Sequence, residues 1–275
     1  MSSSKAKTYL ITGGASGIGA ALSRLATEAG HKVIIADINL AGAEKVAASI
    51  GGSTTALGLD ICSEEQWDTV LEGVWREHGG LDVLVNNAAI VHTGYARDVP
   101  MEKHIHTMET NFFGPMKGML AALPRFKAQG HGHLATVCSM TGLLPFPGIA
   151  SYAAAKHALR AFHLALALEE RHTPVKFTIV HPTSTETPML EKEAEDDAMA
   201  LSFAGTPVTP EFVAQIVLDS IHNEVIEAFA PPERGAVVKE LGINPESLWE
   251  MMDRNAVVGA EKLKARRAAK AGLES

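Results

Sequence analysis

The sequence predicts an α/β fold in which a doubly wound parallel sheet is covered by helices on both faces, within a single domain. Three observations point to it. Short runs rich in Val, Ile and Leu alternate with longer segments of helical period, which is the pattern of successive βαβ units. A Gly-rich run, TGGASGIG at 12–19, falls where the first strand would pass into the first helix. The 275 residues also carry no internal repeat and no low-complexity linker that would divide the core.

The elements follow in order. TYLIT (8–12) is the first strand, and its helix runs from Gly17 to Ala29, ended by Gly30. KVIIADI (32–38) is the second strand and LAGAEKVAASI (40–50) the next helix. TALGLDI (55–61) is the third strand, followed by a helix opened by Ser63, whose spacing to Gln66 is that of a capping box. LDVLVNNAA (81–89) is the fourth strand, 99–129 a long helical stretch, and HLATVCS (133–139) the fifth strand. A long Ala/Leu-rich helix over 151–172 precedes the sixth strand, KFTIVHP (176–182). Thr209 as N-cap with Pro210 at the first position opens another helix, and EAFAPP (227–232) closes the sheet.

The core thus spans about residues 7–235, with a helical extension over 236–275 in the same domain. In that extension NPESLWEMMDRN starts a short capped helix. The basic EKLKARRAAKAGLES reads as a polar terminal helix or frayed tail, because it lacks the apolar face of a membrane-surface helix.

Composition narrows the function classes. With 46% hydrophobic and 20% charged residues the chain is an ordinary globular protein, and a net charge of −8 argues against a nucleic-acid partner. A phosphate-bearing cofactor stays allowed, since backbone N–H groups at a helix start hold phosphate without Lys or Arg. The only two cysteines, Cys62 and Cys138, sit in apolar contexts that read as buried strand, so no disulfide framework is expected and a reducing cytoplasm is the simplest home. MSSSKAK shows no leader pattern and no segment is long and apolar enough for a membrane span. Twelve histidines raise the question of a metal, but HGH (131–133) and His104/His106 have an i, i+2 spacing that suits neither one helix face nor zinc. They read as solvated, and no metal site is expected.

The Gly-rich run sits in the context of a dinucleotide site. Gly13 permits the tight turn, Gly17 and Gly19 let backbone approach a pyrophosphate, and the helix N-terminus supplies partial positive charge. Asp37 ends the second strand 18 residues past Gly19, where a carboxylate can accept both ribose hydroxyls. A 2'-phosphate there would meet like charge, and Ala15, Ile38 and Asn39 offer no cation to offset it. NAD is therefore expected over NADP. Tyr152 and Lys156 lie one helical turn apart, so the ammonium can draw the phenol down from about 10 toward working pH. A fall of roughly 3 units needs about 4 kcal/mol of differential stabilisation. Tyrosine then serves as base for an alcohol or acid for a ketone. A lone Y-x-x-x-K is more often a packed Tyr beside a surface Lys, so the pair gains meaning only from its company.

That company is wide. The form T-G-x-x-x-G-x-G, then LDI (59–61), NNAA (86–89), NFFG (111–114), Ser139, YAAAK (152–156) and HPTSTET (181–187) together make residues 8 to about 190 resemble the classical short-chain dehydrogenases/reductases. Ser139 precedes Tyr152 by 13 residues, the spacing of that family. The resemblance implies a Rossmann fold with Ser16 and Ile18 in the cofactor loop. It puts Asp60 and Ile61 along the adenine, Asn87 and Ala88 beyond the adenosine ribose, Pro182 in the cofactor site and Thr187 on the nicotinamide carboxamide. Tyr152 and Lys156 would also touch the cofactor. Ser139 would hydrogen-bond the substrate oxygen, and Asn111 would hold a water joining Lys156 to solvent. Two positions depart from the pattern, since Ala89 and Thr183 stand where glycine is usual; the second could narrow the substrate side.

The expected activity is reversible NAD-dependent oxidation of a secondary alcohol to a ketone. Met140, Leu143, Leu144 and Phe146, with the segment 188–205 where the family's substrate lid lies, suit an apolar cyclic, aromatic or steroid-like alcohol, although these residues could equally be core. The NAD preference and added C-terminal length point away from acyl-carrier thioesters. A non-catalytic dinucleotide-binding sensor or scaffold, and an epimerase or dehydratase on the same fold, are the alternatives. The helices at 103–128 and 151–172 carry more apolar and small residues than one core-facing stripe needs. In the resembling family they pair across a two-fold axis, which implies a homodimer or homotetramer.

Overall fold

The computed structural model describes residues 6–273; the absence of a leader pattern was read partly on residues 1–5, which lie outside them. Seven parallel strands form one sheet in the order β3-β2-β1-β4-β5-β6-β7. They are β1 (Thr8–Thr12), β2 (Lys32–Asp37), β3 (Thr54–Gly58), β4 (Val83–Asn86), β5 (Gly132–Val137), β6 (Val175–Pro182) and β7 (Glu227–Ala230). The helices are α1 (Gly17–Glu28), α2 (Leu40–Ile50), α3 (Glu64–His78), α4 (Met101–Met108), α5 (Gly114–Gln129), α6 (Ala150–Glu169), α7 (Pro188–Glu193), α8 (Pro210–His222), α9 (Arg234–Ile243) and α10 (Pro245–Leu273).

Strand alternation divides the core. Ile11, Val33, Ile35 and Val85 meet Leu22 of α1 and Val213 and Ile221 of α8 on one face. Leu10, Ile34, Leu84 and Leu134 meet Trp67 of α3 and Met119 and Phe126 of α5 on the other. Burial on both faces explains why the strands read as continuous apolar runs, each such side chain contributing roughly 1.5–3 kcal/mol. The chain winds outward from β1 to β3, then restarts at β4 on the other side of β1. The crevice this reversal opens at the carboxyl ends of β1 and β4 is where a sheet of this type takes its ligand.

Several local expectations are corrected. The third strand stops at Gly58 rather than running through Ile61, because Asp60 Oδ1 accepts the Cys62 N–H at 2.9 Å and turns the chain. Cys62 is thus a half-buried turn residue, whereas Cys138 is buried just past β5, and both thiols are free. The fourth strand ends at Asn86, where the chain leaves the ladder to cross the Gly-rich loop. Ser63 caps α3 by accepting the Gln66 N–H at 3.2 Å, but Gln66 Oε1 returns to the Asp60 N–H at 2.8 Å, so the reciprocal arm of the box serves the turn. The helical stretch before β5 is broken by a π turn at Glu109–Phe113. The histidines are not all solvated: His133, His163 and His181 are buried, and His133 is paired with Thr178 across β5 and β6 at 2.8 Å. Among the described residues there is no His/Cys/Asp/Glu cluster that could hold a metal, and no helix is long and apolar enough to cross a membrane. The expected short C-terminal helix is instead the 29-residue α10, whose Leu263 is buried against Val91, Leu190 and Phe203.

Candidate active site

A cavity of about 1250 Å³ runs along the carboxyl edge of the sheet from Asp37 to the N-terminal third of α10. Every residue singled out above as catalytic or cofactor-binding lines it except Gly19 and Asn111. At its floor the Gly-rich loop is a cradle that only glycine allows. Gly13 has φ +66° and a Cβ there would stand 2.6 Å from Ala88 Cα; a Cβ on Gly19 would stand 2.3 Å from the Gly13 carbonyl oxygen. Thr12 ties this loop to the end of β4, its hydroxyl accepting the N–H groups of Asn87 and Ala88 at 3.0 and 3.1 Å. The Asn87 amide donates to the carbonyls of Thr12 and Gly13 at 2.9 and 3.1 Å, so its side chain braces the loop. Ser16 precedes α1 without capping it, whereas Asn39, Ser63, Thr187 and Thr209 cap their helices. The first-turn N–H groups of α1 therefore remain available to an anion.

Asp37 closes β2 beside this loop. Its Oδ2 accepts the Ala15 N–H at 3.0 Å and its Oδ1 the Asn39 N–H at 2.9 Å, which fixes the carboxylate at the cavity rim with lone pairs to spare. Asp60 lines the rim through its turn, while most of Ile61 is packed over Gly114. Thr187 bridges both halves, capping α7 and setting its methyl group against Gly17.

Deeper in, Ser139, Tyr152 and Lys156 come together from the end of β5 and the first turns of α6. The Ser139 hydroxyl accepts from the N–H and the hydroxyl of Thr141 at 3.1 and 2.9 Å. Its own hydrogen is left to donate into the cavity. Lys156 is 2% exposed, and its Nζ donates to the Val137 carbonyl at 3.3 Å. Asn111 sits in the π turn with its amide paired to the Ile90 backbone in both directions, at 2.9 and 2.8 Å, leaving one N–H hydrogen for any water.

Comparison with known proteins decides the family. Residues 7–198 match the family described as short chain dehydrogenase. The chain belongs to the short-chain dehydrogenase family. A 3-beta-hydroxysteroid dehydrogenase of Comamonas testosteroni is 34% identical over 227 residues, 77% of this chain and 87% of the relative. A 2,5-dichloro-2,5-cyclohexadiene-1,4-diol dehydrogenase of Sphingobium indicum is 34% identical over 186 residues, 66% of this chain and 74% of that one. Among solved structures, a 3-ketoacyl-(acyl-carrier-protein) reductase from Brucella melitensis complexed with NADH superposes with a TM-score of 0.73 at 28% identity, covering 81% of this chain and 96% of that one. A short-chain dehydrogenase/reductase from Burkholderia phymatum in complex with NAD gives 0.80 at 20% identity, over 87% and 94% of the two chains, and so shares the fold.

Within this short-chain dehydrogenase the electrostatics differ from the sequence expectation in one respect. Burial pushes the Tyr152 phenol up, Glu193 adds to the rise and Ser139 opposes it; Lys156 does not bring it down. The lysine is itself pulled down by burial, and its ammonium gives one hydrogen to the Val137 carbonyl. In the protein alone, desolvation is thus the leading influence on both groups.

The outer wall was only partly legible. Met140, Leu144 and Phe146 line the cavity and Leu143 does not; Met140, Leu143 and Leu144 all pack into the core under α9 and α10 with Val238 and Leu248. Met251, Met252 and Asn255 of α10 complete the wall, and no local motif marks them. α10 also clasps the segment around α7: Arg266 forms a two-point pair with Glu186 at 2.9 and 2.6 Å and contacts Glu191, while Arg267 reaches Asp197 at 2.6 Å. Glu193, hidden in the acidic run after Met189, turns into the cavity, and burial pushes its carboxyl up to about 7 against the pull of Ser202.

Proposed function

We propose that this short-chain dehydrogenase interconverts a secondary alcohol and a ketone with NAD, on an apolar cyclic, aromatic or steroid-like substrate. The observation that carries the reading is the junction of a glycine cradle with Ser139, Tyr152 and Lys156 along one cavity. Relatives named for a hydroxysteroid and a cyclohexadiene diol support a ring alcohol, and neighbours titled with NAD and NADH support the dinucleotide.

The cofactor's fit rests on the cradle that a Cβ would fill at Gly13 and Gly19 and on the uncapped start of α1. Gly13, Ser16, Gly17, Ile18 and Gly19 would hold the pyrophosphate, and Asp37 the ribose hydroxyls. Asp60, Ile61, Asn87 and Ala88 would follow the adenosine half, and Pro182 and Thr187 the nicotinamide. When bound, the cofactor would supply a nicotinamide ring as hydride acceptor for the carbinol carbon and a positive charge that would favour the ionised phenol of Tyr152. Tyr152 takes the hydroxyl proton, or returns it to a ketone. Ser139 donates its free hydrogen to the substrate oxygen and steadies developing alkoxide charge. Lys156 faces the Tyr152 ring from a buried position and has two further N–H hydrogens for the ribose and for a water relay to Asn111.

We read the chain as one domain whose C-terminal extension contributes Met251, Met252 and Asn255 to the substrate wall. Leu120 and Leu168 are 48% and 66% exposed, and Ala154, Ala161 and Ala165 are exposed between them in the sequence, which supports a homodimer or homotetramer through α5 and α6. A monomeric mass by light scattering at micromolar concentration would overturn that assembly. The two free thiols support a cytoplasmic setting.

The activity is tested by following reduced cofactor over a panel of hydroxysteroids, cyclic alcohols, aryl carbinols and polyols. At least one ring alcohol should turn over, with kcat/KM for NAD roughly tenfold or more above NADP, about 1.4 kcal/mol. Equal values remove Asp37 from its role; NADH binding without turnover of any alcohol removes the activity.

A further inference from the structure

Behind Ser139 a charged network, buried at His181 and open to solvent at Lys239, joins β6 to α6, β7 and α9. The His181 side chain is fully buried near the end of β6. Its Nδ1 lies 2.9 Å from the Ser139 carbonyl oxygen and its Nε2 lies 3.1 Å from Glu227 Oε1. Both partners only accept, so both ring nitrogens carry hydrogens and the ring is an imidazolium. Burial alone would discharge it, but hydrogen bonds to Cys138, Glu227 and Ser139 outweigh that and raise it to about 9. The ring also stacks on Phe229 with centroids 5.1 Å apart.

Glu227 on β7 does not serve His181 alone. Arg160 Nε donates to the same Oε1 at 2.7 Å, and Lys239 Nζ of α9 lies 3.0 Å from Oε2. Arg160 is one turn beyond Lys156 and two turns beyond Tyr152 on α6. The contacts therefore close a ring: Ser139 to His181, His181 to Glu227, Glu227 to Arg160, and Arg160 through α6 back to Tyr152. The charged and titratable groups around His181 are Cys138 after β5, Lys156, Arg160 and His163 on α6, Glu227 on β7 and Lys239 on α9.

We propose that His181 is a positioning residue for Ser139: bonded to the Ser139 carbonyl and anchored through Glu227 and Arg160 to the helix of Tyr152, it holds the serine hydroxyl in register with the phenol. This rests on Ser139 and Tyr152 being the pair that engages the substrate oxygen. A displacement of about 1 Å in such a pair is enough to cost on the order of a hundredfold in rate.

The test is a double-mutant cycle on alcohol oxidation with His181→Phe, Ser139→Ala and the double variant. His181→Phe should lower kcat roughly tenfold to hundredfold, with the KM for NAD within about twofold of wild type. In the Ser139→Ala background it should add less than about a further twofold, because the group it positions is gone. His181→Gln, which keeps one donor for the Ser139 carbonyl, should recover part of the loss. Losses that multiply fully in the double variant mean a general structural role and overturn the proposal. If His181→Phe does not fold, Glu227→Gln takes its place in the same cycle with the same expectation. Nitrogen-15 NMR of the imidazole supplies a readout that needs no substrate: both nitrogens should stay protonated at pH 7, and a neutral ring refutes the anchoring. Should wild type oxidise no alcohol, the activity reading fails and crystal structures decide the positioning. A Ser139 hydroxyl displaced relative to Tyr152 in the variant that folds supports it, and an unmoved one overturns it.

Discussion

The Lys156 ammonium stands 5.5 Å from the centre of the Tyr152 ring, with one of its hydrogens committed to the Val137 carbonyl at 3.3 Å. The i, i+4 spacing on α6 brings the two side chains to one face, but it places the cation over the ring, with Lys156 buried and Tyr152 partly buried at the cavity wall. The phenol is therefore raised by burial in the protein alone. A base that works near neutrality has to acquire its low pKa when positive charge arrives beside it.

This gives the first prediction. Ultraviolet titration of the free protein should show Tyr152 protonated past pH 10, whereas at saturating NAD the kcat/KM for an alcohol should rise with an apparent pKa well below about 10. Tyr152→Phe should cut turnover by about 10²–10⁴ with NADH affinity within a few-fold of wild type. Near-normal turnover by that variant would remove Tyr152 from proton transfer.

Gly19 tests the cradle. Alanine is the better helix former, yet its Cβ would stand 2.3 Å from the Gly13 oxygen and 2.6 Å from Asn87 Nδ2. Gly19→Ala should lose about 1–3 kcal/mol of stability in a denaturant melt, the range for overpacking, and should abolish NADH binding by fluorescence titration. Retained binding with unchanged stability would mean that the loop yields.

Arg266 tests the strap. Its partners Glu186 and Glu191 are each 41% exposed, so Arg266→Ala should change global stability by no more than about 1 kcal/mol. Freed from α10, the lid should raise KM for a bulky alcohol several-fold and leave the NADH Kd unchanged. An equal rise in both constants would show that the clasp serves the whole cavity rather than the substrate end.

Glu193 carries a signed pH dependence. Its folded carboxyl, at about 7, binds its proton more tightly than the unfolded group at 4.5. Its contribution to stability is therefore fully present below the unfolded value and is lost as pH rises through the folded one. Glu193→Gln should be more stable than wild type at pH 8 by about 1–2 kcal/mol after allowing for partial solvent access, and indistinguishable from it near pH 4.5. Equal stability at both pH values in denaturant melts would place the carboxylate in solvent.

What the sequence by itself determined is what local chemistry encodes. Strands buried on both faces had to be apolar throughout, and a loop between strand and helix that cradles an anion had to be glycine at 13 and 19. Capping residues announced the starts of α3 and α8, and a four-residue spacing put Tyr152 and Lys156 on one face. Each of these is set within a few residues of itself. Only the tertiary structure decided how distant segments share burial and charge. It turned Cys62 out of the third strand and buried His181 between the Ser139 carbonyl and Glu227, 46 residues further along the chain. It laid α10 against the segment that leads into α7, with Arg266 on Glu186, 80 residues away. It also placed Lys156 on Val137 instead of the phenol oxygen. Desolvation depends on every element that packs around a group, and no spacing along one helix or strand records that sum.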